Sequence, residues 1–200
     1  RIPRPMEIAK GIQINDRTTR QLLMYVNPVF ANTVNVSGVA NFDCEKLAIP
    51  LAEANKNDIE VIGTLAINNL RLQASDLLGQ ILSTIGEGPE GQDITIHPTR
   101  FVLQDGLLRY DDMRMDVGVH PVNFKGVIGL DKSLDMKVTL PYTIQGKTVK
   151  LGQETGAQRL TVSLTGTVDE PQLDLGKLLE EQLKQRLREE LQKGLEGLFK

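Results

Sequence analysis

The sequence predicts a β-rich α+β fold: a long, curved, mainly antiparallel sheet with two short helices and a long C-terminal amphipathic helix. Three observations lead there. Most residues between 34 and 174 fall into runs that alternate apolar and polar side chains, the period of a strand with one buried face. Four of these runs place a glycine one spacer after an apolar residue (Gly38, Gly63, Gly126, Gly166), and repeated strand glycines bend and curl a sheet. The ending "GKLLEEQLKQRLREELQKGLEGLFK" repeats leucine every fourth position at 179, 183, 187, 191 and 195, a helical stripe.

In chain order, residues 1–33 form an N-terminal segment with a short helix in "NDRTTRQLLMYVNPVF". Asn15 or Asp16 caps it, Leu22, Leu23 and Val26 give its apolar side, and Pro28 ends it. Residues 34–174 form the sheet. "VNVSGVANFDC" sets Val34, Val36, Gly38, Ala40, Phe42 and Cys44 on one face; "IEVIGTLAINNLRLQA" does the same with Ile59, Val61, Gly63, Leu65 and Ile67. A second helix is inserted near 75–86, with Ser75 as N-cap and Leu77, Leu78, Ile81, Leu82 and Ile85 as its stripe. From there to 168 the chain reads as strand after strand. Met113, Met115, Val117 and Val119 share one face, and "FKGVIGLDKSLDMKVTLPY" continues it with Phe124, Ile128, Met136, Val138 and Leu140. "QDG" and "LDKS" are hairpin turns, and Asp111–Asp112 reads as another turn. Pro98 and Pro121 mark bulges, edges or strand ends. The C-terminal helix, 175–200, would reach roughly 35 Å. Its stripe drifts around the axis because a spacing of four exceeds 3.6. Its charges are balanced, unlike a polybasic anchor.

The totals narrow the function classes. With 200 residues the chain suits one domain with a real core. A net charge of −3 and only 5 Phe, 3 Tyr and no Trp argue against nucleic acid, which wants a basic surface and stacking rings. The single cysteine, Cys44, cannot close an internal disulfide and reads as a small buried hydrophobe. No apolar run reaches the roughly 18 residues a membrane helix needs. The start "RIPRP" lacks Met, so removal of a leader or anchor is left open.

Three stretches resemble the AsmA-like and TamB-like proteins of the Gram-negative cell envelope, in particular the C-terminal region of that superfamily. They are "VSGVANFDCEKLAI" with "VIGTLAINNLRLQASDLL", then "GLLRYDDMRMDVG…VNFKGVIGLDKSLDMKVTLPY", and finally "LTVSLTGTVDEPQLDLGKLLEEQLKQRLREELQKGLEGLF". The last is the most specific, a "G-T-V-x-x-P-x-L" strand handing over to a Leu/Lys/Glu helix. The resemblance implies an excised C-terminal part and a groove-like sheet that carries or shields lipid in envelope lipid transport or outer-membrane biogenesis. It also implies a periplasmic location, with an inner-membrane anchor elsewhere in the parent chain, and no enzyme activity.

Residue by residue, the expected lipid-lining set is Val117, Val119, Phe124, Ile128, Met136, Val138 and Leu140. The same side chains would serve equally as an ordinary core. His97 and His120 each precede proline on different strands, and neither has a partner in sequence that would make it a general base. His97, His120, Asp111 and Asp116 lack any metal-ligand spacing, and there is no phosphate loop or nucleophile elbow. No catalytic residue, metal or cofactor is therefore expected. The competing reading is a structural module that docks envelope proteins through its sheet edges and C-terminal helix; a hydrolase using His97 and His120 is a distant third.

Overall fold

A computed structural model describes residues 6–15, 23, 26–30, 34–50, 56–73, 76–88, 93–141, 159–176 and 180. Among these residues, nine strands form one antiparallel sheet in simple sequence order. They are β1 (Met6–Ile14), β2 (Val34–Ala48), β3 (Glu60–Gln73), β4 (Ile94–Gln104), β5 (Leu107–Val117), β6 (His120–Gly129), β7 (Leu134–Pro141), β8 (Arg159–Gly166) and β9 (Pro171–Leu173). One α-helix, α1 (Asp76–Ile85), joins β3 to β4, and short 3-10 turns cover Pro28–Phe30 and Lys56–Asp58. Although α1 follows β3, it packs against β7, β9 and the Pro28–Phe30 turn. The sheet therefore curls around the helix, as its recurring strand glycines suggested.

Close strand approach explains two of those glycines. At Gly126, φ is +145°, and a Cβ would sit 2.6 Å from the Met136 Cα. At Gly63, a Cβ would sit 2.5 Å from the Phe42 ring. A side chain at either position forces neighbouring backbone or ring atoms apart.

Several expectations hold. Asp105 and Gly106 both take positive φ, 52° and 71°, in the two-residue loop of a type I′ hairpin between β4 and β5. "LDKS" is the β6–β7 turn, with Lys132 at φ 74°. The inserted helix occupies Asp76–Ile85. Pro98 lies at a bulge in β4, where Leu65 and Ile67 of β3 oppose Thr99 and Ile96. Its missing N–H is tolerated there.

Other expectations need correcting. Asp111–Asp112 is a bulge inside β5, not a turn: Tyr110 pairs with Gly126 and Met113 with Phe124, so three steps on β5 meet two on β6. Two consecutive carboxylates thereby face outward while Tyr110 and Met113 both stay inside. The turn lies further on, at Gly118–Val119, and splits what reads in sequence as one long strand into β5 and β6. Residues 6–14, expected only as part of the N-terminal segment 1–33, form the edge strand β1. The first helix falls mostly outside the described residues, whose contribution there is Leu23, Val26 and the 3-10 turn. The helix over 175–200 lies outside them as well, apart from Leu175, Gly176 and Glu180.

Candidate functional site

The inward face of the curl is a set of cross-strand rows. One row runs Ala40, Ile67, Ile96, Met115, Val122, and the next toward the hairpin turns holds Met113, Phe124, Val138, Val162. All these side chains are buried. Six of the seven expected lining residues belong to this region. Val117, Phe124, Ile128, Met136, Val138 and Leu140 are 1 % exposed or less. Val119 departs from the expectation: it sits in the β5–β6 turn and is 84 % exposed, because Gly118, at φ 57°, ends the strand one residue before it.

Protein covers this region. Leu77, Leu78, Ile81, Leu82 and Ile85 of α1 are all 3 % exposed or less. Beside them, the Asn27 side chain caps its own turn by accepting from the Val29 N–H at 2.9 Å, and its Nδ2 donates to the Met113 Sδ at 3.2 Å. At roughly 1.5–3 kcal/mol per buried side chain, lifting α1 would cost on the order of 10 kcal/mol, comparable to the whole stability of a domain. That magnitude makes α1 a fixed cover rather than a lid.

The row nearest the hairpin turns behaves differently. It runs Leu47, Val61, Leu103, Leu108, Ile128, Leu134 across β2 to β7. Leu108, Ile128 and Leu134 are buried, whereas Leu47, Val61 and Leu103 are half-buried. Phe42 and Phe101 are half-buried too, and their rings stack with centroids 5.8 Å apart. Phe42, Leu47, Val61, Phe101 and Leu103 thus form an apolar corner at the β2–β4 end of the inward face. Beside it the Tyr110 hydroxyl, fully buried, donates to the Met136 Sδ at 3.8 Å; burial pushes its pKa upward, so it remains a neutral donor.

The sequence pattern placed the lining on β5–β7 and missed this corner. Phe42 and Phe101 were visible as two of only five phenylalanines on alternating runs, but nothing in their pattern differed from that of the buried rows.

The histidines are brought to partners on opposite sides of the sheet. His120 is buried at the start of β6, and its Nε2 lies 2.9 Å from the Glu87 Oε1 just beyond α1. His97 lies on the outer face, 2.6 Å from the Asp116 Oδ2. Arg114 also grips Asp116, its Nε donating to Oδ1 at 2.8 Å. Burial pushes the Asp116 carboxyl up, but the hydrogen bonds from Arg114 and His97 outweigh it and hold the pKa below the usual carboxylate value. Among the described residues no group of three or more His, Cys, Asp or Glu is arranged to hold a metal ion. Cys44 is buried and its thiol donates to the Lys46 carbonyl. No described helix is long and apolar enough to cross a membrane.

No protein-family model, curated protein or solved structure matches the chain.

Proposed function

We propose that this chain is a non-enzymatic, AsmA-like protein of the cell envelope whose curved sheet takes up lipid or another apolar ligand at the β2–β4 corner. The observation that carries the reading is the corner itself: Phe42, Leu47, Val61, Phe101 and Leu103 share an inward face that elsewhere is sealed by α1 and residues 26–30. An apolar concave surface left half-buried beside a sealed core is where a chain-like apolar ligand gains most from leaving water. The periplasmic location, the role in envelope lipid transport or outer-membrane biogenesis and the anchor in a parent chain come with the sequence resemblance. The C-terminal helix belongs to the same proposal as a brace on the sheet.

The competing reading, docking through sheet edges, is less favoured. Edge strand β1 carries a register shift around Gly11, at φ 66°, and β9 is three residues long and starts with proline. Bulges, short strands and proline are devices that discourage strand addition.

The test is native mass spectrometry of the purified chain, followed by organic extraction and uptake from offered phospholipid or fatty acid. Bound lipid that is lost in a still-folded Phe101→Ser variant is the expected result. A clean apo mass with no uptake from either offered lipid would overturn the proposal.

A further inference from the structure

The rim of the corner is built by turns that are strung together at one end of the sheet. The Leu130 N–H donates to the Gly106 carbonyl at 2.8 Å, and the Val168 N–H to the Lys132 carbonyl at 2.9 Å. Gly106 in turn lies against the Asn57 side chain. The 3-10 turn before β3, the β4–β5 loop, the β6–β7 turn and the β8–β9 turn therefore form one continuous edge. Leu103 is two residues from Asp105, and Val61 three from Asp58, so the corner opens within roughly 10 Å of this edge.

That edge is acidic. Its carboxylates, Asp58, Glu60, Asp105, Asp131, Asp169 and Glu170, outnumber the cations of the same turns and strand ends, Lys46, Lys56, Arg109 and Lys132. Lys46 pairs with Glu60, and Lys132 with Asp169 at 2.7 Å. Asp58, Asp105, Asp131 and Glu170 are exposed and have no cationic partner among the described residues. Asp131 is held in the charged form by hydrogen bonds from the Ser133 hydroxyl and backbone N–H, which keep its pKa below the usual value. An apolar chain lying in the corner must leave its head group in water beside these charges.

We infer that the ligand of this corner is an amphiphile with a cationic head group, an amine or ammonium on an apolar chain, and that an anionic head group is selected against. The inference rests on the corner being a binding site for apolar chains. Negative charges on the turns along the open end of the corner, Asp58 and Asp105 nearest to it, attract a cation and repel an anion through the same field, so the preference appears as a difference between two chain-matched ligands.

The experiment measures Kd for dodecylamine, dodecanoate and dodecanol, each below its aggregation threshold, at about 20 mM and about 500 mM salt. At the lower salt, where the screening length is a few times longer, dodecylamine is expected to bind about tenfold tighter than dodecanoate. At the higher salt the ratio is expected to fall to about twofold. A triple variant, Asp58→Asn, Asp105→Asn and Glu170→Gln, is expected to lose the preference at low salt. Asn tolerates the positive φ of position 105, so that turn is retained. Equal affinities for the two charged ligands, or tighter dodecanoate, would overturn the inference while leaving the apolar site intact. Failure of dodecanol to bind at all would overturn the binding site and this inference with it.

Discussion

Two regions of one inward face can be compared directly. Over β5–β7 the side chains Met113, Phe124, Met136, Val138 and Leu140 are sealed; over β2–β4 Phe42, Leu47, Val61, Phe101 and Leu103 are half-buried. Both regions are apolar, both alternate with outward polar residues, and both belong to the same continuous rows. The difference lies in what sits above them. The helix inserted after β3 reaches across the curl to β7 and β9, and Asn27 docks on Met113. The far end of β2–β4 receives neither. Composition therefore does not separate core from candidate site in this protein; the placement of one helix does.

Charge placed in each region breaks the comparison most sharply. Val138→Asp puts an unpaired carboxylate into the sealed region and is expected to cost more than about 4 kcal/mol, enough to unfold the chain in urea titrations. Gly126→Ala, where φ is +145°, is expected to cost about 2–4 kcal/mol by the same measurement, because the added Cβ crowds the Met136 backbone and the dihedral is strained. Phe101→Ser removes a half-buried ring and is expected to cost about 1–2 kcal/mol, with loss of lipid uptake as the larger effect. If Val138→Ala and Phe101→Ala were equally destabilising and neither altered uptake, the two regions would be one core.

The outer face should respond weakly and with pH. The Asp116 pKa is depressed in the folded state, so its contribution is fully present above the unfolded value of about 3.9 and is lost as pH falls through the folded value. Asp116→Asn is expected to lower stability at neutral pH by a few tenths of a kcal/mol to about 1, discounted for its exposure. The difference should vanish on acidification, read from thermal unfolding at several pH values. Val119→Ser, in the exposed turn, is expected to stay within about 0.5 kcal/mol of the parent chain.

Much of the fold was legible because local chemistry specifies it. Asp105-Gly106 suits a two-residue loop with positive φ at both positions, Pro98 cannot sit in an unbroken ladder, and the leucine and isoleucine spacing of 77–85 permits only a helix. The errors share a physical cause. A bulge interrupts alternation much as a turn does, so Asp111–Asp112 looked like a reversal. The true reversal at Gly118–Val119 preserved alternation and was invisible; Val119 was assigned to the inward face on that account. β1 escaped because its positive-φ Gly11 and register shifts break the strand period.

The sequence by itself determined the β-rich class, the antiparallel order implied by short turns, the helix at 76–85 and the one apolar face. These depend on side-chain period and turn geometry, which act over a few residues. Only the tertiary structure decided which part of that face is core. Sealing depends on where α1 lands after the sheet curls, against strands some fifty residues and more beyond it in the chain, and no local pattern carries that information. The clustering of acidic turns at one edge of the corner was decided in the same way, by bringing together loops that are scattered between residues 56 and 170.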